Sequence, residues 1–184
     1  LANHYYYLIA SLPTLSYDME NPVSEEEFFG EYESVLTEKD YKILKSAKLI
    51  PLEEKSENVT LEKWNNWERS LRNELVRMRA GKKGIDGEKY VAGEGFEAGI
   101  PEIAREAFQA PSPLDAESIL NKARWDCLET LESGHYFDFA KIIIYFLKLQ
   151  VVQRKLQISK EKGKTAFSEI YAAIHDKNSA QKNS

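Results

Sequence analysis

The sequence predicts an all-α fold, a helical bundle of long antiparallel helices with shorter helices packed against them, and three observations predict it. Between Ser112 and Gly163 two long segments carry apolar residues at helical steps. Leu114, Ile119, Ala123, Cys127, Leu128 and Leu131 form the first, and Ile142, Ile143, Tyr145, Phe146, Leu149, Val152, Leu156 and Ile158 the second. Only Gly134-His135-Tyr136-Phe137 joins them, a link so short that the two should fold back as a hairpin. Helix starts are also written locally. Ser112-Pro113 is a good N-cap followed by proline at the first helical position, and Ser24 with Glu27 has capping-box spacing. Finally, no evident partner strand exists for the one ambiguous run, Tyr5 to Leu12, which is read as a helix ended by Pro13.

Taken in order, the next helix after Ser24 offers Phe28, Phe29, Tyr32, Val35 and Leu36 as its apolar face. Thr37 with Asp40 makes a weaker box before Tyr41, Leu44, Ala47 and Leu49, and the polar stretch from Pro51 to Val59 reads as a loop. Thr60 is the expected cap of a helix whose face is Leu61, Trp64, Trp67 or its neighbour Ser70, Leu71, Leu75 and Met78. Gly81 to Gly99 holds six glycines without periodicity and reads as a long loop or hinge. A short helix follows over Pro101 to Phe108, with Ile100, Ile103, Ala104 and Ala107 inward. After Gly163, Thr165 is expected to cap a last helix carrying Phe167, Ile170, Tyr171 and Ile174, with a frayed polar end from Asp176.

With 184 residues and 42% hydrophobic content, the chain can bury one core. The expected organisation is a single helical domain over 1–184, or two lobes, 1–80 and 100–176, joined by the glycine-containing loop 81–99. A formal charge of -5 gives no overall attraction to nucleic acid or to an anionic membrane. The single cysteine, Cys127, precludes an internal disulfide and fits a reducing compartment, as a small buried hydrophobe. The apolar run Ile142 to Leu147 is bracketed by Lys141 and Lys148, too short to span a bilayer. No positive segment, apolar core and cleavage site follow one another at the start, so the expected location is the cytoplasm, or the inner-membrane periphery through a complex.

Chemistry finds little footing. His4, His135 and His175 lie far apart, and Cys127 with His135 supplies two metal ligands where a zinc site needs three or four. Read as nucleophile and base, the same pair lacks an orienting group and an oxyanion hole. Glu25-Glu26-Glu27 and Glu53-Glu54 are charge runs of the kind that faces solvent. Gly81-Lys82-Lys83-Gly84 lacks P-loop order, and Gly93-Glu94-Gly95 lacks the dinucleotide fingerprint. No catalytic residue, cofactor, metal or direct nucleotide ligand is therefore expected. The one marked basic patch is Arg69, Arg72, Arg77 and Arg79 leading into Lys82 and Lys83. It is either a solvated face paired with Glu68 and Glu74 or a protein interface for acidic helices of a partner, with nucleic acid a third option.

Several phrases carry a resemblance. Tyr5-Tyr6-Tyr7-Leu8-Ile9-Ala10-Ser11-Leu12-Pro13, Ala123-Arg124-Trp125-Asp126-Cys127-Leu128 and His135-Tyr136-Phe137-Asp138, followed by Ala140 to Arg154, resemble the DUF2764 family. These are small bacterial proteins encoded with V-type ATPase subunits. The aromatic opening, the arginine-bearing helix Trp64 to Arg79 and the segment Tyr145 to Gly163 are more distantly similar to the C-type subunits of V-type ATPases, known as d-type in eukaryotes. That resemblance implies a helical adaptor between the central stalk and the membrane ring, in a shortened form, since the C-type proteins are longer and built of three similar domains. The function expected is thus a non-catalytic adaptor or stalk-associated component of a V-type ATPase or ATP synthase, with other subunits as partners. The alternatives are a free-standing assembly or regulatory protein-binding module, and a nucleic-acid binder or enzyme of unrecognised class.

Overall fold

Every residue from Ile142 to Val152 is buried, on all sides of the helix that carries them, α7 (Phe139–Lys182). A helix apolar all round must be surrounded, and the rest of the chain surrounds this one. In this computed structural model residues 5–51, 55–93 and 97–182 are described, with the backbone alone for Lys162 and residues 164–182. The remaining helices are α1 (Tyr6–Ser11), α2 (Glu25–Tyr32), α3 (Glu38–Ser46), α4 (Val59–Lys83), α5 (Ile100–Gln109) and α6 (Pro113–Glu132). Single 3-10 turns occupy Glu33–Val35 and Gly87–Tyr90, and no strand occurs among the described residues. The fold is an all-α helical bundle, as the sequence predicts.

Helices α6 and α7 form the expected hairpin. Gly134 takes φ 87° at the turn, a left-handed conformation that only glycine adopts without strain. Pairing of Glu132 with Lys141 near the turn and of Glu117 with Arg154 far from it sets the two helices antiparallel. The main core gathers Leu8, Phe28, Phe29, Tyr32, Leu44 and Trp64 around the buried stretch of α7, with Trp125 and Leu128 from α6. A second cluster joins Leu71 and Leu75 of α4 to Ile100, Ala104 and Ala107 of α5 and Leu120 of α6. Trp67 packs against both, so α4 runs through the two clusters as one rod.

Polar side chains on α7 hold the irregular segments in place. The carboxamide of Gln150 accepts from Leu49 N–H at 2.9 Å and donates to the Ala47 carbonyl at 3.0 Å, satisfying a buried stretch of backbone at both ends. Tyr145 donates to the Pro13 carbonyl, Gln153 to Val23 and Lys155 to Tyr17. Asn73 repeats the device on α4, donating to the Ala92 carbonyl at 3.0 Å and accepting from its N–H at 2.9 Å. Part of the predicted loop 81–99 is thereby strapped along α4, and part of it is helical, its first three residues as the end of α4, which runs to Lys83, and Gly87–Tyr90 as a 3-10 turn.

Four expectations need correction. The cap of α4 is Asn58, whose Oδ1 accepts from Thr60 N–H and Leu61 N–H, so Thr60 is already inside the helix. Helix α7 passes through Gly163 and continues to Lys182 with no break. A Cβ at Gly163 would meet nothing within 4 Å, and its flanks are good helix formers, so the glycine weakens the helix locally without ending it. Val35 is exposed because α2 ends at Tyr32 and the chain tightens into a 3-10 turn. On α6 the deepest residues are Leu120, Asn121, Arg124, Trp125 and Leu128, whereas Ile119, Ala123, Cys127 and Leu131 are half-buried. The expected side chains of Phe167, Ile170, Tyr171, Ile174 and His175, with His4 and Glu53-Glu54, lie outside what the structure describes.

Candidate functional site

The ionisable groups nearest the core serve the architecture. Glu68 of α4 is fully buried, and Arg124 of α6 grips it with two parallel bonds, Nε to Oε2 at 3.0 Å and Nη2 to Oε1 at 2.9 Å. Arg124 Nη1 also donates to Glu117 Oε1 at 2.9 Å and to Asn121 Oδ1 at 3.0 Å, and Arg154 of α7 donates to the same Glu117 oxygen at 2.6 Å. Two carboxylates and two guanidiniums thus balance across α4, α6 and α7. Burial pushes the Glu68 carboxyl up and Arg124 pulls it back, the net direction being upward. Glu117 is also partly buried, but Arg154 and Arg124 more than offset this and hold it below the usual carboxylate range. Glu68 therefore does not pair with the basic patch, as the sequence suggests, because α4 turns it inward toward α6. The neighbouring Trp125 donates to Glu129 at 2.8 Å and lies under the Lys148 ammonium, 4.7 Å from the ring centre.

The predicted basic residues separate into three groups. Arg69, Arg72, Val76, Arg79 and Lys83 recur at steps of three and four along one line of α4. Arg69 donates to Asn66 at 2.7 Å, and among the described residues neither Arg69 nor Arg72 has a carboxylate partner. Arg77 stands off this line and is taken up by Glu88, at 2.7 Å and 3.3 Å, and by Glu74 at 3.4 Å. Arg79 reaches the shallow pocket where α4 meets the α5–α6 junction, and the Lys82 ammonium lies 5.6 Å from the Phe108 ring centre.

Cys127 opens on a groove of about 570 Å³ floored by Trp67, Ile103, Ile119 and Ala123 and rimmed by Glu106, Lys122 and Asp126. Burial pushes its thiol up to about 12, with Glu97 and Glu68 adding to the effect, so it is protonated at neutral pH and a poor nucleophile. His135 turns to Asp138, with Nδ1 to Oδ2 at 2.6 Å. Among the described residues no three His, Cys, Asp or Glu side chains converge as a metal site would need.

One surface is not visible in the sequence. The start of α1 and the α6–α7 turn meet at one end of the bundle, where the Tyr6 and Phe137 ring centres lie 4.8 Å apart and those of Tyr6 and Tyr7 5.5 Å apart. Tyr6, Tyr7, Tyr136 and Phe137 are 46%, 82%, 71% and 48% exposed. At about 200 Å² per aromatic residue, that leaves about 500 Å² of these four residues facing water, tyrosine hydroxyls included, comparable in size with the largest surface patch of a typical monomer. The patch is anchored from beneath. Tyr5 is buried, its ring packs 5.8 Å from Phe139 and its hydroxyl donates to Asp40 of α3.

Fold and surface together define an all-α helical bundle with an aromatic end. Its residues 98–178, from the start of α5 well into α7, match the family model described as protein of unknown function DUF2764. Ala123 to Leu128, His135 to Asp138 and Ala140 to Arg154 fall inside the match, and the aromatic opening at Tyr5 falls before it. Comparison with curated proteins and with solved structures gives no match for the chain. No helix among the described residues is long and apolar enough to cross a membrane.

Proposed function

We propose that the chain is a non-catalytic adaptor or stalk-associated component of a V-type ATPase or ATP synthase, binding its partner subunits through the aromatic end of the bundle. The observation that carries the binding role is the Tyr6, Tyr7, Tyr136 and Phe137 cluster. A standard interface buries about 800 Å² on each partner, and the cluster alone supplies more than half of that. Tyrosine and phenylalanine also suit an interface core, since they bring large area at low entropic cost, and the tyrosine hydroxyls keep a contact with water while the surface is free. The choice of partner rests on the resemblance of Tyr5 to Pro13 and His135 to Asp138 to proteins encoded with V-type ATPase subunits, and these are the two segments that build the cluster.

The test is purification of the tagged chain from its own host under gentle conditions, followed by mass spectrometry. Recovery of V-type ATPase subunits in stoichiometric amount, lost in a Tyr7→Ser/Tyr136→Ser variant, supports the proposal. Recovery weakened only by Arg72→Glu/Arg79→Glu moves the interface to α4. Intact complex in the lysate with none on the tagged chain contradicts the adaptor role and leaves the free-standing assembly module as the reading to pursue.

A further inference from the structure

We propose that Arg69, Arg72 and Tyr90 form a binding pocket for a single phosphate group, a site separate from the aromatic end and independent of the adaptor reading. The pocket measures about 110 Å³ and is walled by Pro51, Val76 and Ala92. A small-molecule cofactor needs several hundred Å³, so this space takes one oxyanion head and not a nucleotide.

Charge selects the ligand. The quartet of Glu68, Glu117, Arg124 and Arg154 is neutral in sum, so Arg72, whose charge also reaches Glu68, adds a positive charge that the quartet does not balance. With Arg69 it leaves two guanidiniums at i and i+3 on one helix, a repulsive pairing that an anion between them relieves. Two positive charges match a phosphate, which carries about 1.5 to 2 negative charges at neutral pH, better than a carboxylate, which carries one. Guanidinium forks also suit tetrahedral oxyanions, and the Tyr90 hydroxyl adds a donor.

The pocket is built rather than accidental. Asn73 spends both ends of its carboxamide on Ala92, which fixes the far wall against α4. Gly93 takes φ 66° beside it, and a Cβ there would be in ordinary contact with Arg69 Cδ at 3.5 Å, so the chain lies against the arginine stem.

The experiment titrates the full chain with inorganic phosphate at constant ionic strength, followed by calorimetry and by arginine Nε–Hε signals. Saturable binding is expected, with Arg72→Gln weakening it by about tenfold or more, the worth of one charge-assisted contact. Tyr90→Phe should weaken it less, and Arg79→Gln, outside the pocket on the same line of α4, should leave it unchanged. Glycerol phosphate run in parallel separates the sources. Tighter binding than inorganic phosphate assigns the site to a phosphomonoester head, and weaker binding assigns it to free phosphate. The proposal is overturned by absence of saturation, by equal loss in Arg79→Gln, or by acetate binding as tightly as phosphate.

Discussion

Glu68 has no exposed surface, and the Arg124 fork is its hydrogen-bonded counter-charge inside the bundle. Removing one partner of such a pair leaves the other buried and uncompensated, at a cost of about 3–5 kcal/mol. Arg124→Met should therefore lower the urea midpoint steeply, while the double variant Glu68→Met/Arg124→Leu should recover most of the loss. Equal destabilisation by the single and double changes would contradict the reading of the pair as an internal strut. Glu132 gives a pH signature. Burial raises its carboxyl, but bonds from Lys141 and Lys148 outweigh this and hold it below the ordinary 4.5. A depressed folded value means stability that is present above about 4.5 and lost as pH falls through the folded value. Glu132→Gln should thus cost about 1–2 kcal/mol at neutral pH, with the gap to the parent closing in acid. A gap that persists at pH 3 would argue that packing, not charge, sets the effect.

At the scale of elements, the capping signals are legible because they are local. Ser24 and Glu27 exchange both bonds of a capping box as their spacing predicts, and Thr37 caps α3. Asn58 is hidden by Thr60, since either residue type can cap and spacing alone does not rank them. Gly163 reads falsely as a stop because glycine ends a helix only where the chain needs positive φ, as at Gly134, and nothing in the sequence distinguishes the two. Gly163→Ala should consequently raise stability by about 0.5–1 kcal/mol and increase helical ellipticity. A loss would restore the break. Gln150→Leu should have the opposite sign. It orphans the Leu49 N–H and the Ala47 carbonyl together, costing about 2–4 kcal/mol and speeding hydrogen exchange at Leu49.

For the whole molecule, periodicity reveals the hairpin and the bundle but not which charges cross between helices. Glu68 and Arg124 are 56 residues apart, and each looks like an ordinary exposed residue in its own stretch. The aromatic end escapes for the same reason. Its two halves stand out in the sequence as separate phrases, and only folding brings Tyr6 to Phe137. Of the predicted basic patch, Arg69 and Arg72 meet at a pocket, Arg77 is consumed by Glu74 and Glu88, and Arg79 with Lys82 lies beside Phe108. The molecule thus presents a rigid, internally charge-paired bundle whose end is aromatic. The most direct test of the adaptor role is photo-crosslinking in the native host with benzoylphenylalanine placed at Tyr136, using the exposed Ile85 as a control position. One discrete adduct that contains a V-type ATPase component is expected from Tyr136 and none from Ile85. No adduct at Tyr136, or the same spread of adducts from both positions, would contradict that role.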